Sequence, residues 1–413
     1  MKILTTSDWH LGNLFHGNDR LPEHRHFLQW LLGQIVALQP DALLVAGDVF
    51  DNGNPSAVSQ SAYYEFLADA TQACQNMQII ITAGNHDSAS RLEAPRPMLT
   101  RHKVEIRGTI HRTWQQQGDD GQWVNDYDDL VIPLKNAKGE EAIVLAVPYL
   151  RSDVIVFLNE LTQRARELYP GKPLIMMAHM YAKGADIAEK DASEKIIIGG
   201  QEEVNMEGWT SHPDYLTCGH IHKRQHIWDT DWARYTGSVL PMSFAEINYR
   251  HGVDMITVDG KNDIKVEFLE YIPQHKLRVL PENDEELTPK KLEKLIKETL
   301  NPRNDDGTLS DTFDYVLLKV KCEKVNNDEL KQLEAAVAAK DAVLCRIQKI
   351  IPSLDITTIV DNRSITSVDD ILARDPLDSI KEAYLFKHKT GLSEHQTDML
   401  RELLKGIVNE PNN

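Results

Sequence analysis

Apolar runs of five or six residues recur along the first half of the chain, and each is followed by polar residues. The runs span positions 2–6, 42–46, 78–82, 142–147 and 173–178. Between them, apolar residues recur at the i, i+3, i+4 spacing of an amphipathic helix, over 22–38, 59–74 and 151–169. Continuous apolar runs are typical of strands that are buried on both faces. The alternation therefore predicts an α/β fold, a layered domain whose strands are joined by right-handed helical crossovers.

The pattern changes in the second half of the chain. Short β-like runs predict a second sheet, at 225–228, 235–238, 253–258 and 264–269. Beyond them, lysine- and glutamate-rich helices are predicted at 289–299 and 328–339, around a strand at 315–322. We interpret residues 1–272 as the main domain, 273–352 as a small α/β cap domain and 353–413 as a linker with a helical tail. A polar insertion at 183–212 is long enough to be functional, and we expect it to cover the site.

The tail predicts two short helices after a linker at 353–363. Asp375-Pro376 is typical of a helix start and Gly391 of a helix end. A capping box at 393–396 begins a second helix whose apolar residues lie along one face. Such a pair either packs on the body of the protein or docks onto a partner, and the pattern alone favours packing.

Composition and charge limit the partners. The chain has 413 residues, 41% of them apolar, which is ordinary for a globular protein. Its 45 basic and 63 acidic residues give a net charge of −18, which argues against a broad basic surface for nucleic acid. An anionic substrate must therefore be attracted by a local positive charge.

The cysteines and the N-terminus indicate a cytoplasmic protein without a membrane span. Cys74, Cys218, Cys322 and Cys345 are scattered and form no Cys-x-x-Cys pair, so neither a disulfide framework nor a thiolate zinc site is expected. The first residues run directly into a polar motif without an apolar signal core, and no apolar run approaches the length of a membrane helix.

Five polar motifs follow predicted strands in chain order. They are Asp8-Trp9-His10, Gly47-Asp48, Gly84-Asn85-His86-Asp87, His179 and Gly219-His220-Ile221-His222. Strand ends are where open α/β sheets place their sites. Because a strand alternates its faces, Asp8 and His10 are expected to point the same way, as are His220 and His222. Carboxylate, amide and imidazole ligands suit manganese, iron or zinc.

The most economical assignment of these ligands is a two-metal centre. Asp48 would bridge two ions, with Asp8, His10 and His222 on one and Asn85, His179 and His220 on the other. Two ions about 3.5 to 4 Å apart clamp both oxygens of an in-line phosphoryl displacement and acidify the attacking water. They also leave the positive charge that an acidic protein needs for an anionic substrate.

His86 is surplus to the ligand count and is the candidate general acid. Asp87, the next residue, is expected to hold the tautomer of His86. Any one motif alone is most often a turn or a helix cap, but five in order after predicted strands favour a site. Other histidines, including His16, His24, His26 and His102, are expected at the surface.

The ordered motifs resemble the calcineurin-like metallophosphoesterase superfamily. Within it, Thr6-Ser7-Asp8-Trp9-His10-Leu11-Gly12, Gly47-Asp48-Val49-Phe50-Asp51 and Gly84-Asn85-His86-Asp87-Ser88 are similar to nuclease subunits of the SbcD type, related to double-strand-break repair nucleases. The resemblance spans the whole chain, although the specific motifs lie in the first 270 or so residues.

The resemblance implies a fold, an activity and partners. The fold would be a layered β-sandwich flanked by helices, with a small α/β cap and a C-terminal helical tail. The activity would be that of a manganese-dependent double-strand 3′–5′ exonuclease and single-strand endonuclease in DNA repair, recombination and replication. It also implies a homodimer within a heterotetramer, in which residues 361–413 bind an SMC-like ATPase of the SbcC type. No Walker motif occurs in this chain, so ATP would come with that partner.

Alternatives remain open at this point. A cytosolic phosphodiesterase for small nucleotides would use the same ligands, and a scaffold with a decayed site would lack some of them, whereas none is missing here. Phosphatases of the superfamily typically carry Gly-Asn-His-Glu, whereas Asp87 follows His86 here. DNA contacts are poorly specified: isolated basic residues near the motifs are candidates but are more often ordinary surface, namely Arg91, Lys223, Arg224 and Arg250.

Overall fold

A computed structural model describes residues 1–117, 120–186, 204–205, 207–261, 263–283, 285–321, 327–350 and Thr397. The chain divides into two compact units, Met1–Ile351 and Pro352–Asn413. The predicted tail helices lie outside the described residues, as does most of the insertion predicted at 183–212. The elements below belong to the first unit.

The described part of the chain alternates strands with helices. Strands β1 to β19 span, in order, Lys2–Thr6, Leu14–Phe15, Asn18–Asp19, Ala42–Ala46, Gln78–Thr82, Val104–Arg107, Arg112–Gln117, Asp120–Asn125, Val131–Lys135, Glu141–Ala146, Leu174–His179, Tyr215–Gly219, Gln225–His226, Ala233–Tyr235, His251–Gly260, Asp263–Tyr271, Leu277–Leu280, Asp314–Lys321 and Ala342–Ile350. Helices α1 to α7 span Leu21–Leu38, Ala57–Ala73, Ala89–Glu93, Arg96–Leu99, Val154–Leu168, Pro289–Thr299 and Asn327–Ala338. No helix among these residues combines the length and hydropathy needed to cross a membrane.

Two six-stranded sheets form the centre of the unit. One has the order β16-β15-β1-β4-β5-β6 and the other β13-β14-β12-β11-β10-β9. The expectation that a separate second sheet begins after position 222 is wrong. β15 pairs antiparallel with β1, whereas β14 runs parallel to β12 in the other sheet. Apolar runs report that a strand is buried but not which strand it pairs with, so the early strands could not be divided between two sheets in advance.

The packing gives four layers, with helices outside two facing sheets. Along β4, Leu43 and Val45 belong to the core shared with α1 and α2, while Leu44 and Ala46 belong to the core between the sheets. The second sheet packs its outer face on α5 through residues such as Leu158. Each fully buried Leu or Val contributes about 1.5–3 kcal/mol. The predicted β-sandwich core flanked by helices is confirmed.

A third sheet occupies the stretch predicted to form the cap. Its three parallel strands have the order β17-β18-β19, and α6 and α7 share their apolar core. Tyr315 of β18 reaches the main sheets: its ring lies 5.0 Å from that of Phe15, and its hydroxyl donates to Glu23 at 3.4 Å. The domain boundaries at 272 and 352 stay a prediction.

His24 was expected at the surface, and this expectation is wrong. It lies on α1 and is fully buried. Burial, reinforced by the nearby Arg20 guanidinium, lowers the pKa of His24 to about 3, so the ring is neutral. A single histidine carries no periodicity of its own, which is why its burial could not be predicted.

Candidate metal centre

The five motifs meet where β1, β4, β5, β11 and β12 end. Their functional side chains come from loops beyond the strands rather than from alternating strand positions. Asp8, His10, Asp48 and His220 have φ values of 50°, 47°, 50° and 100°, which is a left-handed backbone. The alternation argument used for the two i, i+2 pairs is therefore wrong, although the pairs do converge. Non-glycine residues in this conformation each cost about 1–3 kcal/mol and cluster at functional sites.

Asp48 lies at the centre of the convergent side chains. It is buried, and one of its oxygens, Oδ2, lies 3.4 Å from His179 Nε2 and 3.6 Å from His10 Nε2. The other oxygen accepts a hydrogen bond from the backbone amide of His86 at 2.9 Å. Burial alone would raise the pKa of Asp48, but the surrounding imidazoles, His179 foremost, outweigh it and hold the pKa well below its usual range. Asp48 is therefore an anion between two histidines from different loops.

Asn85, His179 and His220 form one side of the centre. The Asn85 side-chain oxygen lies 3.0 Å from His179 Nε2 and 3.0 Å from His220 Nδ1. His179 Nδ1 donates to the Ala46 carbonyl at 3.0 Å, which leaves Nε2 facing the centre. Burial, followed by the neighbouring His179, lowers the pKa of His220 to about 3, so this ring is in the neutral form that binds metals. Burial acts to lower the pKa of His179, but Asp48 raises it to about 9, so a metal ion must displace a proton there.

Asp8, His10 and His222 form the other side. Each offers a donor atom, and the three atoms lie within 4.8 Å of one another. Both ring nitrogens of His10 are buried and have no hydrogen-bond partner among the described residues. Buried polar atoms are rarely left in this state, and a cation would satisfy a His10 nitrogen. Asp48 joins His10 and His86 in a second such group, and Asp8 and His179 in a third. The donor set therefore fits two divalent ions that share Asp48.

The contacts of His86 and Asp87 differ from the expectation. The Asp87 carboxylate accepts hydrogen bonds from the backbone amides of Val49, Phe50 and Gly84 at 2.9–3.1 Å, so it joins two loops. The His86 ring is held instead by the Asp51 carbonyl, 2.8 Å from Nδ1. The assignment of the tautomer to Asp87 is therefore wrong. Burial, followed by the Asp48 charge, raises the pKa of Asp87 to about 6.

Gly84 is required by a close approach of two loops. A Cβ atom at this position would lie 2.1 Å from Asp48 Oδ1 and 2.3 Å from the Asp48 backbone nitrogen. We expect Gly84→Ala to displace Asp48 and to lower the free energy of unfolding by about 1–3 kcal/mol, the usual cost of overpacking. Urea unfolding and manganese titration measure the two effects.

A matched control for Gly84 lies on α1. A Cβ atom at Gly33 meets nothing within 4 Å, so Gly33→Ala should leave metal binding unchanged and stabilise the helix by about 0.5–1 kcal/mol. Equal unfolding energies and equal metal binding for the two variants would contradict the steric role of Gly84.

The basic residues proposed for DNA are all engaged within the chain. Arg224 donates to Asp254 at 2.8 Å, and Arg250 donates to Glu270 at 2.7 Å. Lys223 pairs with Asp186, and Arg91 with the side chain of Asn54. A further donor group, Glu93, His111 and Asp129, is held by Arg96 and Arg107. That positive charge makes it an ion-pair network rather than a metal site.

Comparisons with known proteins agree with this geometry. The profile of the calcineurin-like phosphoesterase family matches residues 1–224, the segment that carries all five motifs. The SbcD subunit of the nuclease SbcCD from Rhodobacter capsulatus is 37% identical over 281 residues, which cover 63% of this chain and 67% of that protein. The protein of the same name from Escherichia coli K12 is 29% identical over 292 residues, covering 65% and 68%. That of Staphylococcus epidermidis is 24% identical over 413 residues, covering 99% of each chain.

Proposed function

The chain belongs to the calcineurin-like phosphoesterase family, and from this premise we propose that it is a two-metal nuclease that hydrolyses phosphodiester bonds in DNA. One observation carries the proposal: the Asp48 oxygen lies within 3.6 Å of His10 and His179, which belong to the two ligand groups. The relatives named as SbcD subunits of the nuclease SbcCD support DNA as the substrate.

Seven side chains would hold the ions. We assign Asp8, His10 and His222 to one, Asn85, His179 and His220 to the other, and Asp48 to both. Mixed oxygen and imidazole donors favour manganese among the common divalent ions. When bound, such ions supply positive charge to the phosphodiester and acidify the attacking water.

His86 would supply the proton that the leaving oxygen needs. Because Nδ1 is anchored to the Asp51 carbonyl at 2.8 Å, the ring presents Nε2 as its mobile nitrogen. The His86 ring lies 4.8 Å from that of His10, so this nitrogen works beside the ligands rather than among them. We assign to His86 the role of general acid and to Asp87 the role of holding the two loops in register.

The finer activity follows from the relatives. We propose a double-strand 3′–5′ exonuclease and a single-strand endonuclease that work in DNA end processing with an SMC-like ATPase of the SbcC type. We further propose a homodimer within a heterotetramer in the cytoplasm. The thiols of Cys74, Cys218 and Cys345 are free, in keeping with a reducing compartment.

Metal content combined with substrate choice tests the proposal. The purified protein should bind two manganese ions and degrade end-labelled duplex DNA. It should be much less active on cyclic dinucleotides than on DNA. Preference for cyclic dinucleotides would favour a small-nucleotide phosphodiesterase, and turnover of a bis-phosphodiester dye alone would show the centre without its DNA specificity. A protein that binds metal but cleaves nothing would favour a scaffold.

The tail prediction concerns residues outside the described part of the chain. We expect deletion of residues 361–413 to leave a folded, metal-dependent nuclease that no longer co-purifies with the ATPase and no longer responds to ATP. The reason is that the predicted helical pair presents apolar stripes suited to a partner's helices. Co-purification and nuclease assays with and without ATP measure the effect. Unchanged complex formation would contradict the assignment, and an unfolded truncation would favour a tail that packs on the body.

A further inference from the structure

Glu246 is a fully buried carboxylate that contacts a residue of the metal centre. Its Oε1 lies 3.0 Å from Nδ1 of His222, and its Oε2 accepts a hydrogen bond from the Met242 amide at 2.8 Å. The side chain is 0% exposed. Burying an ionised carboxylate is costly unless it is paired, and its ion pair in the structure is with His222.

The contact determines which nitrogen of His222 is left for metal. With Nδ1 directed at a carboxylate, the proton belongs on Nδ1 and the lone pair on Nε2. His179 shows the same arrangement with a different acceptor, because its Nδ1 donates to the Ala46 carbonyl and its Nε2 faces Asp48. One proposed ion would thus have a ligand backed by a charged carboxylate, and the other a ligand backed by a neutral carbonyl.

The turn that carries Glu246 is itself held in place. It is a 3₁₀ turn, Phe244–Glu246, preceded by Ser243, whose hydroxyl accepts a hydrogen bond from the Ala245 amide at 3.1 Å. The Phe244 ring packs 5.3 Å from Phe15, between centroids. A carboxylate fixed by its backbone and by an aromatic anchor is suited to orient a ligand, because it has little freedom to follow the imidazole.

We infer that Glu246 is a positioning residue that orients His222 and strengthens the ion bound by Asp8, His10 and His222, so that the two ions of the centre differ in affinity. The inference rests on the proposed two-metal function. A carboxylate behind a ligating imidazole fixes the ring and raises its basicity, and its loss typically weakens metal binding about 10- to 100-fold. Glu246 itself contacts neither the ions nor the substrate in this assignment.

Manganese titration of Glu246→Gln tests the inference, with free manganese followed by electron paramagnetic resonance. The wild type should bind two ions. The variant should bind one of them about 10- to 100-fold more weakly and the other unchanged, since Gln keeps the size but removes the charge. At saturating manganese its turnover should return towards that of the wild type, whereas a fold defect would not be rescued. Glu246→Asp, which retains the charge, should show a smaller loss.

The matched control is Glu93→Gln. Glu93 also faces a histidine, with its Oε1 2.9 Å from His111 Nε2, but that pair lies in the ion-pair network described above. This variant should bind both ions with wild-type affinity. Unchanged affinities in a folded Glu246→Gln variant would overturn the inference while leaving the proposed function intact. A wild type that binds no divalent ion would refute both.

A measurement on the unaltered protein guards against an unfolded variant. In zinc-loaded wild type labelled with ¹⁵N-histidine, His222 should carry its proton on Nδ1 and bind zinc through Nε2. A bare, metal-bound Nδ1 would overturn the inference regardless of how any variant folds.

Discussion

Asp48→Ala is expected to reduce phosphodiester hydrolysis to background and to strip the centre of metal. Asp48 is the carboxylate whose oxygen lies 3.4 Å from His179 and 3.6 Å from His10, so its loss removes a negative donor from both proposed ions. Bound ions contribute several kcal/mol to charge stabilisation in such sites, and each 1.36 kcal/mol is a factor of ten in rate. We therefore expect a loss of at least about 10³-fold in turnover of end-labelled duplex DNA.

Metal content separates this explanation from a general fold defect. Asp48 also accepts the backbone amide of His86, so the variant must be checked by thermal unfolding as well as by metal analysis. The matched control is Asp254→Asn, which alters another buried carboxylate that pairs with Arg224 instead of lying among the ligands. The control should keep both ions. Two ions bound with normal occupancy by Asp48→Ala would show that Asp48 is not the bridge.

The candidate ligands were predictable because the chemistry is encoded locally. Each motif follows an apolar run, and the order of the runs along the chain sets which loops share an edge of the sandwich. Asp8, Asp48, Asn85, His179 and His222 could thus be grouped before any coordinates were known. What brought them together was the convergence of strand ends and not side-chain alternation, since Asp8 and His10 adopt left-handed backbone beyond β1.

The missed features depend on contacts distant in sequence. Glu246 lies 24 residues after His222 in a stretch without periodicity, so no spacing indicates that its carboxylate faces that ring. Asp51 stood in a quoted motif, but its role uses a backbone carbonyl, which every residue has. Strand pairing failed for the same reason: burial is written into a run of apolar residues, whereas the identity of the neighbouring strand is not.

His86→Gln should separate chemistry from metal binding. The His86 ring is anchored through Nδ1 on the Asp51 carbonyl, and its Nε2 is therefore the nitrogen that can give up a proton. Glutamine approximates the size of the ring and keeps a donor, but it cannot act as an acid near neutral pH. Because general acid catalysis contributes about 10²- to 10⁴-fold, turnover should fall by at least about 10²-fold.

Both ions and the affinity for DNA should survive this change, because His86 is not needed to complete either ligand set. Single-turnover cleavage of end-labelled duplex DNA, manganese titration and a DNA-binding assay without metal measure the three quantities on one preparation. The matched control is His212→Gln, because the Nδ1 of His212 also lies on a backbone carbonyl, that of Pro213 at 2.7 Å, but outside the donor groups. The control should retain full turnover. Loss of a manganese ion together with activity in His86→Gln would instead make His86 a ligand, in keeping with the donor group it forms with His10 and Asp48.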